Sequence, residues 1–217
     1  MIANPTIPLM TAQEYLAWEE KQPIKYNFIN GKVYAMTGGT LPHNSIALNL
    51  ASALKIHLRG KSCKVFMADA KLGVSANGPY YYPDVMVTCD HRDQKFRKVI
   101  YHPCLIAEVL SPGTEGSDRR SRSVAKGLSR AKGDRGKKFR HYRRLDTLRE
   151  YLLIDSETMS IECYRLNDRG KWELSNYLMD ETTKDATEPD VHITSIDFDC
   201  PLSQLYEDVE FFEDQDD

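Results

Sequence analysis

The sequence predicts an α/β (α+β) domain, and three observations carry that prediction. Two stretches near the start have helix signals, an Asn-Gly pair joins two half-apolar runs, and seven short β-type runs follow, four before and three after a strongly basic segment. With 217 residues, 41% hydrophobic and 28% charged, the chain can build one soluble domain with a sizeable core, assigned to residues 1–206, followed by an acidic tail at 207–217 that is expected to fray.

In "TAQEYLAWEE", Thr11 and Glu14 stand at capping-box spacing ahead of Tyr15, Leu16 and Trp18, which predicts a short N-terminal helix. "KYNFINGKVYAM" breaks two runs at Asn30-Gly31, the pair best suited to the positive φ angles of a tight hairpin. Ile46, Leu50, Leu54 and Leu58 recur at helical spacing, so a second helix is predicted from Pro42 to Arg59, with Gly60 as its stop. "CKVFMA", "AKLGVS", "YYYPDVMVTC" and "CLIAEVL" predict strands, with "SANGP" turning between the second and third. Beyond the basic stretch, "REYLLID", "SIECYRL" and "KWELSNYL" predict three more, with "NDRG" between the last two. The tail "SQLYEDVEFFEDQDD" holds seven acids and no base, and its start is expected to pack through Leu205 and Tyr206.

Composition excludes several classes. No apolar run approaches the roughly 18 residues needed to span a bilayer, and the N-terminus lacks the basic and long apolar parts of a secretory signal. The chain is therefore expected to be cytoplasmic, with no membrane partner. Five cysteines, at 63, 89, 104, 163 and 200, include no C-x-x-C pair; they predict neither a disulfide framework nor a zinc cluster and are expected to be small buried hydrophobes. The net charge of −3 hides an asymmetry: from Asp118 to Arg149 there are thirteen Lys and Arg against three Asp. That segment is suited to meet an anion.

Two carboxylates are awkwardly placed. Asp84 follows Pro83 at the start of an apolar strand, and Glu108 lies inside "CLIAEVL", 24 residues on. Burying an unpaired carboxylate costs several kcal/mol or more, so each needs a proton, a basic partner or a metal ion. Brought together on adjacent strands, the two would repel unless a cation lay between them, and Mg²⁺ suits that place because it takes oxygen ligands and leaves room for a phosphate. The plainer reading makes Asp84 a solvated strand-end residue and Glu108 half of a structural ion pair with an arginine of the basic segment. A nearby lysine favours the first. No lysine follows Glu108 at E-x-K spacing, but Lys138, Tyr142 and Leu145 in "RGKKFRHYRRL" share one helical stripe that turns Lys138 inward and Lys137 outward. There a lysine could orient the attacking water. Lys71 is the second candidate, with Asp69 two residues away on a presumed strand and pointing to the same side.

At these residues the sequence resembles a known family. "YYYPDVMV", "LIAEVLSPGTE" and "DRGKKFRHYRRLDTLREYLLID" are similar to the Uma-two type endonucleases, a branch of the PD-(D/E)XK nuclease superfamily whose lysine has moved from the strand to the following helix. The similarity runs from about Thr11 to about Tyr206. It implies a restriction-endonuclease-like mixed sheet flanked by helices, with Asp84 and Glu108 as ligands for Mg²⁺ (or Mn²⁺) and Lys138 as the displaced lysine. The implied activity is hydrolysis of phosphodiester bonds in DNA, and cutting of both strands would favour a homodimer. His43, in "LPHNSIA", matches a histidine often seen in relatives and is an accessory candidate.

The sequence departs from the family in two places. Asn27 stands where relatives usually carry a glutamate, so it can hydrogen-bond or offer a carbonyl but brings no charge. A basic insertion near residues 119–134 interrupts the D-R-G-x-K-F motif, Asp118-Arg119 recurring as Asp134-Arg135. About 15 extra residues in one continuous helix would carry Lys138 some 22 Å from the site, so Gly127, Gly133 and Gly136 are expected to loop the segment out. Arg135, Lys137, Arg140, Arg143 and Arg144 remain as candidate contacts to a nucleic-acid backbone. The competing expectation is a catalytically silent nucleic-acid-binding or interaction protein on the same fold.

Overall fold

The structure is a computed structural model that describes residues 7–36, 38–110, 136–179 and 188–211. The insertion near 119–134, Arg135 and the last part of the acidic tail lie outside the described residues.

Helix α1 (Ala12–Glu19) starts as its sequence dictates. The Thr11 hydroxyl accepts from the Glu14 N–H while the Glu14 carboxylate accepts from the Thr11 N–H, a reciprocal box that satisfies two orphan donors. Strands β1 (Tyr26–Ile29) and β2 (Lys32–Ala35) meet at Asn30 and Gly31, whose φ angles of 50° and 81° suit that pair. Thr40 caps α2 (Leu41–His57), and Ile46, Leu50 and Leu54 form its buried face.

The predicted β runs appear, but the strands divide among three sheets. In the first, β2, β1, β5 (Tyr80–Tyr81), β4 (Lys71–Gly73) and β7 (Val99–Ile100) lie in that order. The second, in order, is β11 (Trp172–Leu178), β10 (Ser160–Leu166), β9 (Glu150–Asp155), β8 (Pro103–Leu110), β6 (Val85–Thr88) and β3 (Lys64–Met67). Its β8–β9 pair is parallel and its other pairs antiparallel, and the first sheet is mixed too, through its parallel β4–β7 pair. A small hairpin of β12 (Asp190–Ile193) and β13 (Phe198–Pro201) leads into the short helix α4 (Leu202–Leu205). Leu205 and Tyr206 are buried there, as predicted.

Alternation along β8 sorts the core. Leu105, Ala107 and Val109 pack with α2 on one face. Ile106 and Leu110 face the other side, with Phe139 and Tyr142 of helix α3 (Phe139–Tyr142). Glu108 falls in that second row, between two apolar neighbours. A third cluster joins α1 to the first sheet, where Tyr15 stacks on Phe28 with ring centroids 4.8 Å apart. Burying such side chains contributes about 1.5–3 kcal/mol each.

Three expectations need correction. "YYYPDVMVTC" is not one strand: the chain leaves the first sheet after Tyr81 and joins the second at Val85, with Pro83, which has no N–H to donate to a ladder, in the crossing. Asp69 and Lys71 do not share a strand, because Ala68 and Asp69 form a turn between β3 and β4, which belong to different sheets. Cys63 and Cys89 form a disulfide, although 26 residues separate them. The pairing of Lys64 with Thr88 brings them side by side, a proximity no sequence spacing announces.

Candidate active site

The β6–β8 ladder builds the site. Val85 pairs with Ala107 and Met86 with Ile106, so the register carried one residue further sets Asp84 opposite Glu108. Residues facing each other across an antiparallel pair have Cβ atoms roughly 4.5–5.5 Å apart. At Asp84 the ladder gives way to side-chain bonding. Its Oδ2 accepts the Val109 N–H at 2.7 Å, and its main-chain carbonyl accepts the Ala68 N–H at 3.1 Å.

Glu108 is 3% exposed, and its burial is compensated from α3. Lys138, at the N-terminal end of that helix, donates from Nζ to Oε2 at 2.9 Å, and the Tyr142 hydroxyl donates to Oε1 at 2.7 Å. The i, i+4 spacing of these two donors places them on one side of the helix, so the predicted inward stripe is present, with Leu145 also buried and Lys137 exposed. Tyr142 is fully buried; burial and the neighbouring Glu108 charge push its phenol well above the ordinary value, so it remains a donor.

His43 reaches the same place from the start of α2, its Nε2 lying 3.3 Å from Asp84 Oδ2. Burial disfavours its protonated form. The hydrogen bond to Asp84 and the charges of Asp84 and Glu108 outweigh that and raise its pKa, with Lys138 opposing them. Four sequence candidates, His43, Asp84, Glu108 and Lys138, are thus brought together.

Asn27 is buried in β1, opposite Tyr34, and its strand position alone does not assign it to the site. Lys71 is buried in an ion pair with Glu19, 3.0 Å from Oε2, while the Tyr82 hydroxyl donates to Glu19 Oε1 at 2.6 Å. Its ammonium also stands over the Tyr15 ring, 5.0 Å from the centroid. This network accounts for the Lys71 charge without the candidate site. A cavity of about 520 Å³ is lined by Lys71, Asp69, Glu19 and Tyr82, but not by Asp84, Glu108 or Lys138. The chemistry-bearing groups lie at the end of the strands, and the cavity is a separate feature. Arg140, Arg143 and Arg144 are exposed on and just beyond α3.

Sequence reasoning missed the role of the Tyr142 hydroxyl. Its signal is the i, i+4 spacing from Lys138, which marks packing and hydrogen bonding alike. The donor set fits a hard divalent ion: two carboxylates from facing positions provide oxygen ligands, and Mg²⁺ needs only one or two of these alongside water and phosphate oxygens. Among the described residues, no three His, Cys, Asp or Glu side chains gather as a complete metal-binding group.

The chain matches the Uma2 family, described as "Putative restriction endonuclease", over residues 12–195. It is 39% identical over 170 residues to the uncharacterized protein slr1290 of Synechocystis sp., covering 78% of this chain and 81% of the relative. A second Synechocystis protein, sll1609, also uncharacterized, is 31% identical over 182 residues, covering 82% and 93% of the two chains. The fold is similar to a crystal structure described as "a putative nuclease belonging to DUF820" from Anabaena variabilis. The TM-score is 0.64 at 14% identity, with 91% of this chain and 98% of that one covered.

Proposed function

Because the chain belongs to the Uma2 family of putative restriction endonucleases, we propose that it is a divalent-metal-dependent endonuclease hydrolysing phosphodiester bonds in DNA. The observation that carries this reading is the meeting of Asp84, Glu108, Lys138 and His43 at one end of the β6–β8 ladder.

In this reading Asp84 and Glu108 hold Mg²⁺ or Mn²⁺. The bound ion supplies charge neutralisation at the phosphate and acidifies water. Lys138 shares one of its three N–H donors with Glu108 and uses another to orient the attacking water or to stabilise charge developing on the phosphate. Tyr142 and Lys138 fix the Glu108 carboxylate, while His43 and the Val109 N–H fix Asp84. Exposed Lys137, Arg140, Arg143 and Arg144 contact the backbone, and a two-fold homodimer would set one site on each strand.

One observation favours the catalytically silent alternative: Lys138 and Tyr142 already engage both oxygens of Glu108. Plasmid nicking with Mg²⁺ or Mn²⁺, beside Asp84→Ala and Lys138→Ala, decides between them. Cutting by wild type that both variants lose, with salt-sensitive binding retained, upholds the enzyme; binding without cutting across metals and substrates upholds the silent protein.

A further inference from the structure

Three of the five cysteines stand in a row across neighbouring strands. Cys63 immediately precedes β3, Cys89 immediately follows β6, and Cys104 lies in β8; the sheet order β8-β6-β3 puts Cys89 between the other two. On one side Cys89 is bonded to Cys63. On the other, the β6–β8 register shifts from Val87↔Leu105 to Thr88↔Pro103, which makes Cys104 the extra residue of a bulge. The Cys104 Sγ lies 3.7 Å from the Cys89 Sγ, and its thiol donates to the Val87 carbonyl at 3.4 Å. Cys89 is exposed, so small thiols and disulfides can reach it.

We propose that Cys89 exchanges its disulfide partner between Cys63 and Cys104, so that the row acts as a thiol–disulfide relay along the sheet. Cys104 gives its proton to solvent and its thiolate attacks the Cys89 sulfur. A Cys89–Cys104 bond forms, the Cys63–Cys89 bond breaks, and Cys63 leaves as a thiolate that takes up a proton. No net oxidation occurs. Burial pushes the Cys104 thiol up to about 11, so the attacking thiolate is scarce at neutral pH and the exchange is slow there.

The two bonded states differ in what they tie. Cys63–Cys89 fastens β3, which among the described residues is an edge strand paired with β6. Cys89–Cys104 instead links β6 to β8, the strand that carries Glu108, and leaves β3 held by its ladder to β6 and by the packing of Val65, Phe66 and Met67. Just beyond β3, Ala68 donates to the main-chain carbonyl of Asp84, so the state of the row reaches the candidate active site through one strand. The relay itself does not depend on what that site does.

Disulfide mapping of the full-length protein tests this. Wild type held at pH 9 without reductant, then acid-quenched, alkylated, digested and analysed by mass spectrometry, is expected to yield both Cys63–Cys89 and Cys89–Cys104 linked peptides. Cys63→Ser, reduced and then treated with glutathione disulfide, is expected to lose the Cys89 and Cys104 thiols together as the second bond forms, with two glutathione molecules released per bond. Cys104→Ser is expected to retain only Cys63–Cys89. A wild-type protein that keeps Cys104 fully alkylatable, together with a Cys63→Ser protein that yields only glutathionylated Cys89 and a free Cys104, overturns the relay.

Discussion

Lys138 Nζ sits 2.9 Å from Glu108 Oε2, joining a helix end to a strand 30 residues earlier in the chain. The pair places a cation against a carboxylate that is only 3% exposed. It is the contact that most directly ties stability to the proposed chemistry.

Removing the lysine takes a close cation from the buried glutamate. Lys138→Met is expected to destabilise the fold by on the order of 3 kcal/mol, since the remaining charge of a broken buried pair is less well compensated. Adding Glu108→Gln should recover much of that loss. Urea unfolding of both single variants and the double variant measures the coupling, and additive effects would mean that the pair is not a unit.

Tyr142→Phe deletes one hydrogen bond to a charged acceptor while keeping the ring that packs against Tyr81 and Tyr151. A loss of about 1.5–3 kcal/mol is expected. In the nicking assay the variant should fall in kcat more than it rises in KM, because a loosely held Glu108 affects the reacting geometry.

Asp84→Asn keeps an oxygen for the Val109 N–H and removes the charge. Stability should change by less than about 1 kcal/mol, whereas metal-dependent cutting should drop about 10²-fold or more. Equal losses of stability and cutting would return Asp84 to a structural role.

Lys71 offers a contrast. Lys71→Met should cost on the order of 3 kcal/mol by removing the counter-charge of the buried Glu19, and Glu19→Gln in the same chain should offset it. Soluble, folded double variant should still cut DNA. Loss of cutting there would put Lys71 back among the candidates for the site.

Alkaline stability follows from the buried thiols. Burial pushes Cys163 and Cys200 up to about 12, whereas the unfolded chain titrates near 8.5. These groups favour the folded state fully below about pH 8.5, and that advantage is lost progressively as pH rises towards their folded values. On the acid side, burial and the charges of Arg144 and Arg140 depress His141, which accepts from the Tyr81 hydroxyl if Nδ1 is unprotonated. Its contribution is present above about pH 6.5 and declines as pH falls below that. Melting temperatures should fall as pH rises from 8 to 10.5, while on the acid side the raised His43 opposes His141, so that His43→Gln should steepen the acid loss.

Much of the architecture was legible because its signals are local. Thr11 and Glu14 lie within one turn of each other, Asn30-Gly31 carries its own conformational preference, and the apolar spacing of α2 needs no partner to be read. Asp84, Glu108 and Lys138 were recognisable as candidates for a related reason: a carboxylate in an apolar run and a lysine on an inward stripe are incongruities visible in one dimension.

Sequence alone determined the α/β class, the element order and which charged residues lacked an obvious reason to be buried. Tertiary structure decided who compensates whom: Lys138 and Tyr142 for Glu108, Glu19 for Lys71 across 52 residues, and Cys89 standing between two sulfurs. It also decided that "YYYPDVMVTC" is shared between two sheets. The physical reason is range. Capping, turn and periodicity preferences act over a few residues, whereas desolvation is relieved by whichever group packing brings within about 3 Å, however distant in the chain.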